Sequence, residues 1–363
     1  MYDSVVVGGG LIGMLTARQL TLEGQTVLLL DQGALGLESS WAGGGILSPL
    51  YPWRYPDAIS QLAAYSSRRY AQLATLLQQE SGIDPQWTQS GLLILDTEEK
   101  AQALAWSKQH DSDLRVIETP DKVAELQSGL GIETPGALWM PEVAQLRNPR
   151  LMQAMKGSLA FHKIDFCEHE AVVRIDKEQG RVVAVQTAKR RIPTKTVVVT
   201  AGAWSAALLE QVGVPVKVEP VRGQMLVYKA KPGLIKPMIL HQGHYLIPRR
   251  DGRVLIGSTL EYVGYNKMVT AEAREALSEY ALTLMPDLSS YEIERHWSGL
   301  RPGTPEGVPY VGSHPEIEGL FFNCGHFRYG VILGLATVHL MVDLMQGRQP
   351  NIDPETYALT AEH

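Results

Sequence analysis

Gly8-Gly9-Gly10-Leu11-Ile12-Gly13 follows the apolar run Val5-Val6-Val7, and Asp31 closes the next apolar run, Thr26 to Leu30. This is the spacing of a dinucleotide cradle. Gly8 makes the tight turn, Gly10 lets a pyrophosphate approach the backbone, and Gly13 lets helix and strand pack closely. The helix opened by Leu11 and Ile12 points its amides and positive dipole end at the phosphates. Asp31 stands where an acid would hold ribose hydroxyls. A second candidate is Arg301, ahead of Pro302-Gly303. Its planar guanidinium suits a bidentate grip on a carboxylate, although a salt bridge is the commoner fate of a single arginine. The fingerprint leaves the dinucleotide open. No second strand–glycine–helix unit follows, because Gly43-Gly44-Gly45 comes after Trp41-Ala42 and not after a strand. Either NAD does the whole job, or FAD takes electrons from a substrate and hands them to oxygen or a carrier.

The elements that must position these residues follow from periodicity. Val5 to Val7 and Thr26 to Leu30 read as buried parallel strands around a helix from Leu11 to Glu23. Residues 34–55, rich in Gly, Ser, Pro and aromatics, read as a loop. Helices are expected over Asp57 to Ser81, Glu98 to His110, Asp121 to Leu126, Arg150 to Phe161 and Ala271 to Leu284, and a buried one over the apolar stretch from Val331 to Met345. Gly91 to Leu95 reads as a strand, and Val172 to Ile175 with Arg181 to Thr187 as a hairpin. Thr196 to Thr200, β-branched throughout, suits a strand buried on both faces and is the candidate for the next parallel strand. Gln224 to Tyr228, Tyr245 to Pro248 and Val254 to Ser258 read as strands, with Arg249-Arg250-Asp251-Gly252 as a hairpin turn. The fold class expected is α/β: a Rossmann-like cofactor-binding domain (1–85, 141–215 and 296–363) interleaved with an antiparallel-sheet α+β substrate domain (86–140 and 216–295).

The composition excludes several classes. The chain has 363 residues, 45% hydrophobic and 20% charged, with a formal net charge of −6 and its Lys and Arg dispersed. That argues against nucleic acid as a partner. Cys167 and Cys324 lie outside any metal-ligand spacing, and no histidine has a ligand partner, so no metal is expected. The first residues run straight into the cofactor strand, and no segment suits stable membrane insertion, so a cytoplasmic location is expected. Homo-oligomerisation is compatible with the sequence and not specified by it.

Four segments resemble the D-amino-acid oxidase family of flavoproteins and, within it, the glycine oxidases of the thiamine-pathway (ThiO) type. They are the N-terminal fingerprint through Asp31, where the family more often has Glu; Glu38-Ser39-Ser40-Trp41-Ala42-Gly43-Gly44-Gly45-Ile46; Val197-Val198-Val199-Thr200-Ala201-Gly202-Ala203-Trp204-Ser205; and Gly299-Leu300-Arg301-Pro302-Gly303-Thr304 through Gly325-His326-Phe327-Arg328-Tyr329-Gly330. The resemblance covers essentially the whole chain. It implies FAD, held non-covalently, since Leu300-Arg301-Pro302 carries no cysteine. Cofactor contacts implied are Gly8, Gly10, Leu11, Ile12, Gly13, Asp31 and Gln32. Ser39, Ser40, Gly44, Gly45 and Ile46 would lie beside the flavin ring, with Val172 and Gly202 further along the cofactor. His326, Phe327, Arg328, Tyr329, Gly330, Val331 and Ile332 would face the flavin's pyrimidine edge, where a helix N-terminus stabilises developing negative charge.

The same resemblance assigns Arg301 and Tyr245 to the substrate carboxylate, adds Arg328 to the catalytic set, and lines the pocket with Ile46, Leu260 and His244. The activity implied is oxidative deamination of glycine and other small amines or D-amino acids by FAD and O2, yielding a 2-oxo acid, ammonia and hydrogen peroxide, in service of thiazole assembly. Three other readings stay open: a D-amino-acid dehydrogenase passing electrons to a quinone, a sarcosine-type oxidase of N-methyl amino acids, and a non-catalytic FAD-binding or tRNA-modifying scaffold.

Overall fold

Tyr2–Val7 pairs in parallel with Val27–Leu30 on one side and Arg191–Val199 on the other, in the computed structural model. The structure describes residues 2–214 and 216–361; the expected domain limits at 1, 215 and 363 lie outside these. Asp165–Cys167 extends the parallel set beyond Val27–Leu30, and Leu320–Cys324 extends it beyond Arg191–Val199. Tyr310–Ser313 closes that edge in the antiparallel sense.

Both faces of these strands are covered, which is why their sequences are continuously apolar. Val6, Leu29 and Val198 face one core, built with the helices Leu11–Leu22, Asp57–Ser81, Asn148–Phe161 and Gly330–Met345. Val5, Val7, Leu28 and Val197 face the other, closed by the hairpin Val172–Glu178/Arg181–Thr187 and the helix Ser205–Glu210. The last helix is apolar nearly all round and sits in the core. Each of its fully buried large side chains contributes about 1.5–3 kcal/mol.

A second sheet runs from Ile293–Gly303 through Glu219–Tyr228, Val254–Gly257, His244–Pro248, Met238–His241, Leu92–Ile94 and Ala137–Met140 to Arg115–Ile117. It is antiparallel except between Met238–His241 and Leu92–Ile94. Strand alternation divides its side chains cleanly. Leu226, Ile239, Leu246 and Ile256 pack under the helix Ala271–Leu284, whereas Met225, Leu240, Tyr245 and Ile247 turn to the opposite face. The α/β class and the interleaving of the two sheets along the chain are as expected. The expected cut between 295 and 296 falls inside the strand Ile293–Gly303, which pairs with Glu219–Tyr228 along its length. Its polar and glycine-rich sequence hides it from a pattern search.

Candidate active site

A large cavity, with about 1860 Å³ of empty space including its open mouth, lies between the carboxyl ends of the parallel strands and the inner face of the second sheet. Ligands in α/β sheets bind at that strand end.

At one end the glycine turn is built by contact. Gly8 has φ +108°, and a Cβ there would stand 2.5 Å from the Thr200 carbonyl oxygen. Thr200 Oγ1 donates toward the carbonyls of Val7 and Gly8, at 3.0 and 2.9 Å, locking the turn against the adjacent strand. Gly10, Leu11 and Ile12 line the cavity at the start of the helix. Ser40 Oγ accepts the Leu11 amide at 2.9 Å, so the segment at Ser39–Ala42 is fastened to the start of the helix Leu11–Leu22. Asp31 and Gln32 line the same end. The Asp31 carboxylate accepts the amides of Gly9 at 2.6 Å and Gly33 at 2.7 Å. Burial pushes its pKa up against those two amides. The acid therefore shapes the glycine turn as well as lining the cavity.

The middle wall is Ser39, Ser40, Gly44, Gly45 and Ile46, with Val172 and Gly202 farther along. Ser39–Ala42 is one turn of helix rather than plain loop. Gly45 has φ +78°, and a Cβ would meet the Leu146 carbonyl oxygen at 2.1 Å. Asn148 Nδ2 donates to the Ser40 carbonyl at 2.7 Å, and the buried Arg249 donates to the Gly44 carbonyl at 2.7 Å. Trp297 Nε1 donates to the Ala42 carbonyl at 3.0 Å, tying this segment to the second sheet.

Arg301 opens onto the same cavity from the strand Ile293–Gly303. Nη2 donates to Ser258 Oγ at 2.6 Å and Nη1 to the Thr259 carbonyl at 3.2 Å. The guanidinium lies flat over Gly223, where a Cβ would stand 2.2 Å from both terminal nitrogens. Burial pushes the Arg301 pKa below the usual arginine range; Tyr245 opposes that shift and Arg328 adds to it. Tyr245 stands beside Arg301, held in a slot between Gly44 and Gly257. Ser258 and Thr259 are themselves anchored. Thr259 Oγ1 accepts the Gln224 amide at 2.9 Å and donates to Glu261, which pairs with the buried Arg222.

His326 through Ile332 line the far wall. Burial pushes the His326 imidazole down to about 3, so it is neutral, and its Nε2 meets Thr337 Oγ1 at 2.9 Å. Phe327 holds φ +43°, its amide donating to the Pro302 carbonyl at 2.9 Å. Tyr329 packs edge-on against Tyr55 with centroids 5.0 Å apart. Gly330 begins the last helix, whose N-terminus opens on the cavity. Arg328 has no hydrogen bond or ion pair among the described residues. Asp31 and Glu38 are the acids among the lining residues, and both belong to the glycine-turn side.

Three expected site residues fall outside the lining. Gly13 serves packing alone: a Cβ would stand 1.8 Å from the Gly8 carbonyl oxygen. Leu260 is 47% exposed. Thr259 and Glu261, its neighbours, are committed inward to Gln224 and Arg222, which turns Leu260 out. His244 lies tilted against Tyr280, ring centroids 4.6 Å apart, and its Nδ1 meets the Gln242 carbonyl at 3.2 Å, at the start of the strand His244–Pro248. Conversely, Ser258, Gly223, Arg249, Asn148 and Asn323 shape the cavity without having been singled out. Arg249 is hidden within an apparent turn, and the others carry no spacing signal.

The cradle fits FAD: Gly8, Gly10 and the start of the helix line one end of the cavity, where a helix N-terminus suits a pyrophosphate, and Gly44 and Gly45 keep the middle wall free of side chains. A family model described as FAD dependent oxidoreductase (DAO) matches residues 3–344. Glycine oxidase of Pseudomonas putida is 45% identical over 358 residues, 98% of this chain and 97% of that one. The bifunctional protein ThiO/ThiG of a Synechocystis species is 30% identical over 356 residues, 94% of this chain but 51% of the relative. The crystal structure of glycine oxidase from Geobacillus kaustophilus superposes with a TM-score of 0.94 at 29% identity, covering 100% of this chain and 99% of that one. The chain belongs to the DAO family of FAD-dependent oxidoreductases.

Proposed function

We propose that the protein oxidises glycine and other small amines bearing a carboxylate, with FAD as cofactor and oxygen as the final acceptor. The observation that carries this reading is the pairing of Arg301 with Tyr245 at the end of the FAD cavity that no acid lines. A carboxylate entering there meets a guanidinium already fixed by Ser258, Thr259 and Gly223, with a phenol beside it. Fixing the donor side in advance removes orientational freedom from the bound substrate. Bound FAD supplies the two-electron acceptor, and oxygen restores it with release of hydrogen peroxide.

The chain's own part is to bind, orient and exclude. Arg301 and Tyr245 set the carboxylate, which fixes where the Cα–H points. The ammonium proton leaves to solvent through the open mouth, since neutral His326 is engaged by Thr337. The N-terminus of Gly330–Met345 and the Arg328 cation would favour negative charge developing on a flavin held beside them. Ile46 and Tyr329 wall the pocket with stiff or fixed side chains, favouring glycine and sarcosine over bulky D-amino acids.

FAD is held non-covalently in this reading. Cys324, at the cavity wall, is a buried thiol pushed up to about 12. The cofactor-binding segments are 1–85, 141–215 and 304–363, and 86–140 with 216–303 form the substrate side. A cytoplasmic location belongs to the reading, supported by two free cysteines; no helix of the described residues is long and apolar enough to cross a membrane. Service to thiazole assembly is supported by the likeness to the ThiO/ThiG relative.

A panel of glycine, sarcosine, D-alanine, D-proline and D-phenylalanine with peroxide readout tests the proposal. Glycine and sarcosine should give the highest kcat/KM, and D-phenylalanine strongly preferred over both would overturn it. A second reading, electron transfer to a quinone, has one observation in its favour: Leu260, Tyr262, Val263, Tyr265, Met268 and Val269 are all exposed on one segment. Near-stoichiometric peroxide per turnover in air decides for the oxidase.

A further inference from the structure

Arg249 is a buried cation that no acid meets. It follows the strand His244–Pro248 and is 7% exposed. Burial pushes its pKa down to about 9, so it stays charged at neutral pH. Asp251 is the acid whose charge bears on it, and that carboxylate is taken by Arg147 at 2.7 Å and Arg253 at 2.9 Å. Among the described residues Arg249 forms no ion pair. Its guanidinium donates instead to three neutral oxygens: Nη1 to Gln145 Oε1 at 2.7 Å and to the Leu146 carbonyl at 2.9 Å, and Nη2 to the Gly44 carbonyl at 2.7 Å. Holding a charge dry without a counter-ion is costly, and apolar side chains of similar volume are often as stable or more so. The charge therefore calls for a use beyond packing.

The three acceptors share one feature, the middle wall of the FAD cavity. Gly44 lines it and is partly exposed. Gly45 packs on the Leu146 carbonyl, and its own carbonyl accepts the Leu146 amide at 2.8 Å. Ile46 is bridged to Gln145. Arg249 itself is outside the lining, so its charge stands one hydrogen bond behind the wall. The Gly44–Gly45 peptide is trans, which sends its carbonyl and its N–H in opposite directions. With the carbonyl turned to Arg249, the N–H edge turns to the cavity side. The Gly45 amide donates to no acceptor among the described residues. Cation and peptide dipole thus present the same sign, positive, to a ligand lying along Gly44. Such a field acts without contact between the arginine and the ligand.

We propose that the Arg249 cation, acting through the Gly44–Gly45 peptide, makes bound FAD easier to reduce. The inference rests on the reading that places the flavin ring beside Gly44, Gly45 and Ile46. Two electrons and one proton from solvent add one negative charge to the ring, and a fixed positive potential favours that form. Arg249 touches neither flavin nor substrate. It is a positioning residue, holding the peptide turned and polarising it through the carbonyl.

The test is the midpoint potential of bound FAD, read at equilibrium with a reference dye and without any amine. Arg249→Gln keeps an N–H donor for the Gly44 carbonyl and loses the charge. Its equilibrium with the dye should move about tenfold toward oxidised flavin, a fall of about 30 mV for two electrons. Arg249→Lys keeps the charge at about pH 6, far below the ordinary lysine pKa, and should stay within about threefold of wild type. Melting temperatures taken alongside report any loss of packing. A potential in Arg249→Gln within about threefold of wild type, however far its melting temperature falls, would make Arg249 a structural clamp and overturn the inference. So would a tenfold fall in Arg249→Lys, which can be read even where Arg249→Gln does not fold. Because the dye replaces the amine, a wild type that fails to oxidise glycine would count against the proposed function and leave this inference standing.

Discussion

At the scale of single residues, the site works through what has been kept small as much as through what is charged. Arg301 can lie where it does because Gly223 has no side chain, and Tyr245 fits its slot because positions 44 and 257 are glycine. Gly223→Ala would drive a methyl into the Arg301 guanidinium, the far end of a flexible side chain, so the protein should still fold while the arginine moves. Displacements of about 1 Å can cost on the order of 10²-fold in rate. We expect kcat/KM for glycine to fall by about 10–100-fold, with FAD affinity unchanged. Unaltered glycine kinetics in that variant would contradict the placement of Arg301. Arg301→Ala removes the grip itself and should weaken carboxylate binding by about 2–5 kcal/mol, read as a large rise in KM. Arg301 and the glycine fingerprint were legible because their chemistry is written in residue type and spacing. Gly223 was not, since its importance comes from a partner more than 70 positions away.

Among the elements, the segment after Val254–Gly257 decides how firmly Arg301 is held. Ser258 and Thr259 bond it directly, and the pair Arg222–Glu261 behind them keeps that segment in place. Burial pushes the Glu261 carboxyl up, but Arg222, Thr259 and Gln224 together pull it further down, so it ends below the usual glutamate range. A carboxyl more acidic in the folded chain contributes stability above its unfolded pKa and loses it as pH falls through the folded value. Glu261→Gln should therefore be less stable than wild type at pH 7. The difference should close as pH drops below about 4.5, the ordinary glutamate value. Urea melts at pH 7 and at several pH values below about 4.5 check this; a gap that persists unchanged through that lower range would contradict it. The same segment shows where reading elements from sequence fails. Continuous β-branched runs such as Thr196–Val199 announce a strand, whereas Ile293–Gly303, with glycines at 299 and 303 and Pro302, does not. Its strand character comes from pairing with Glu219–Tyr228. Leu260 turns outward for a related reason: which way a side chain points after a strand ends depends on what its neighbours bind.

For the whole molecule, the cavity is where the two sheets meet. Its floor comes from residues near positions 8, 31, 200 and 330, and its roof from 44, 245, 258 and 301. FAD then acts as a ligand of the folded chain alone, and at about 100 times its Kd should add about 2.7 kcal/mol to stability. A melting temperature insensitive to saturating FAD would mean that the cavity does not hold it. The two-sheet interleaving was legible because motifs of one kind occur at both chain ends and near the middle. The meeting of the sheets was not, because no local pattern encodes it.

The most direct test of the central claim is anaerobic. Purified flavoprotein, freed of oxygen and titrated with glycine, should lose its oxidised-flavin absorbance, releasing glyoxylate and ammonia in equal amounts, while Arg301→Ala treated alike should stay oxidised at the same glycine concentration. Wild-type flavin that remains oxidised under saturating glycine, or an Arg301→Ala variant that bleaches as readily, would contradict the assignment of this cavity to amino-acid oxidation.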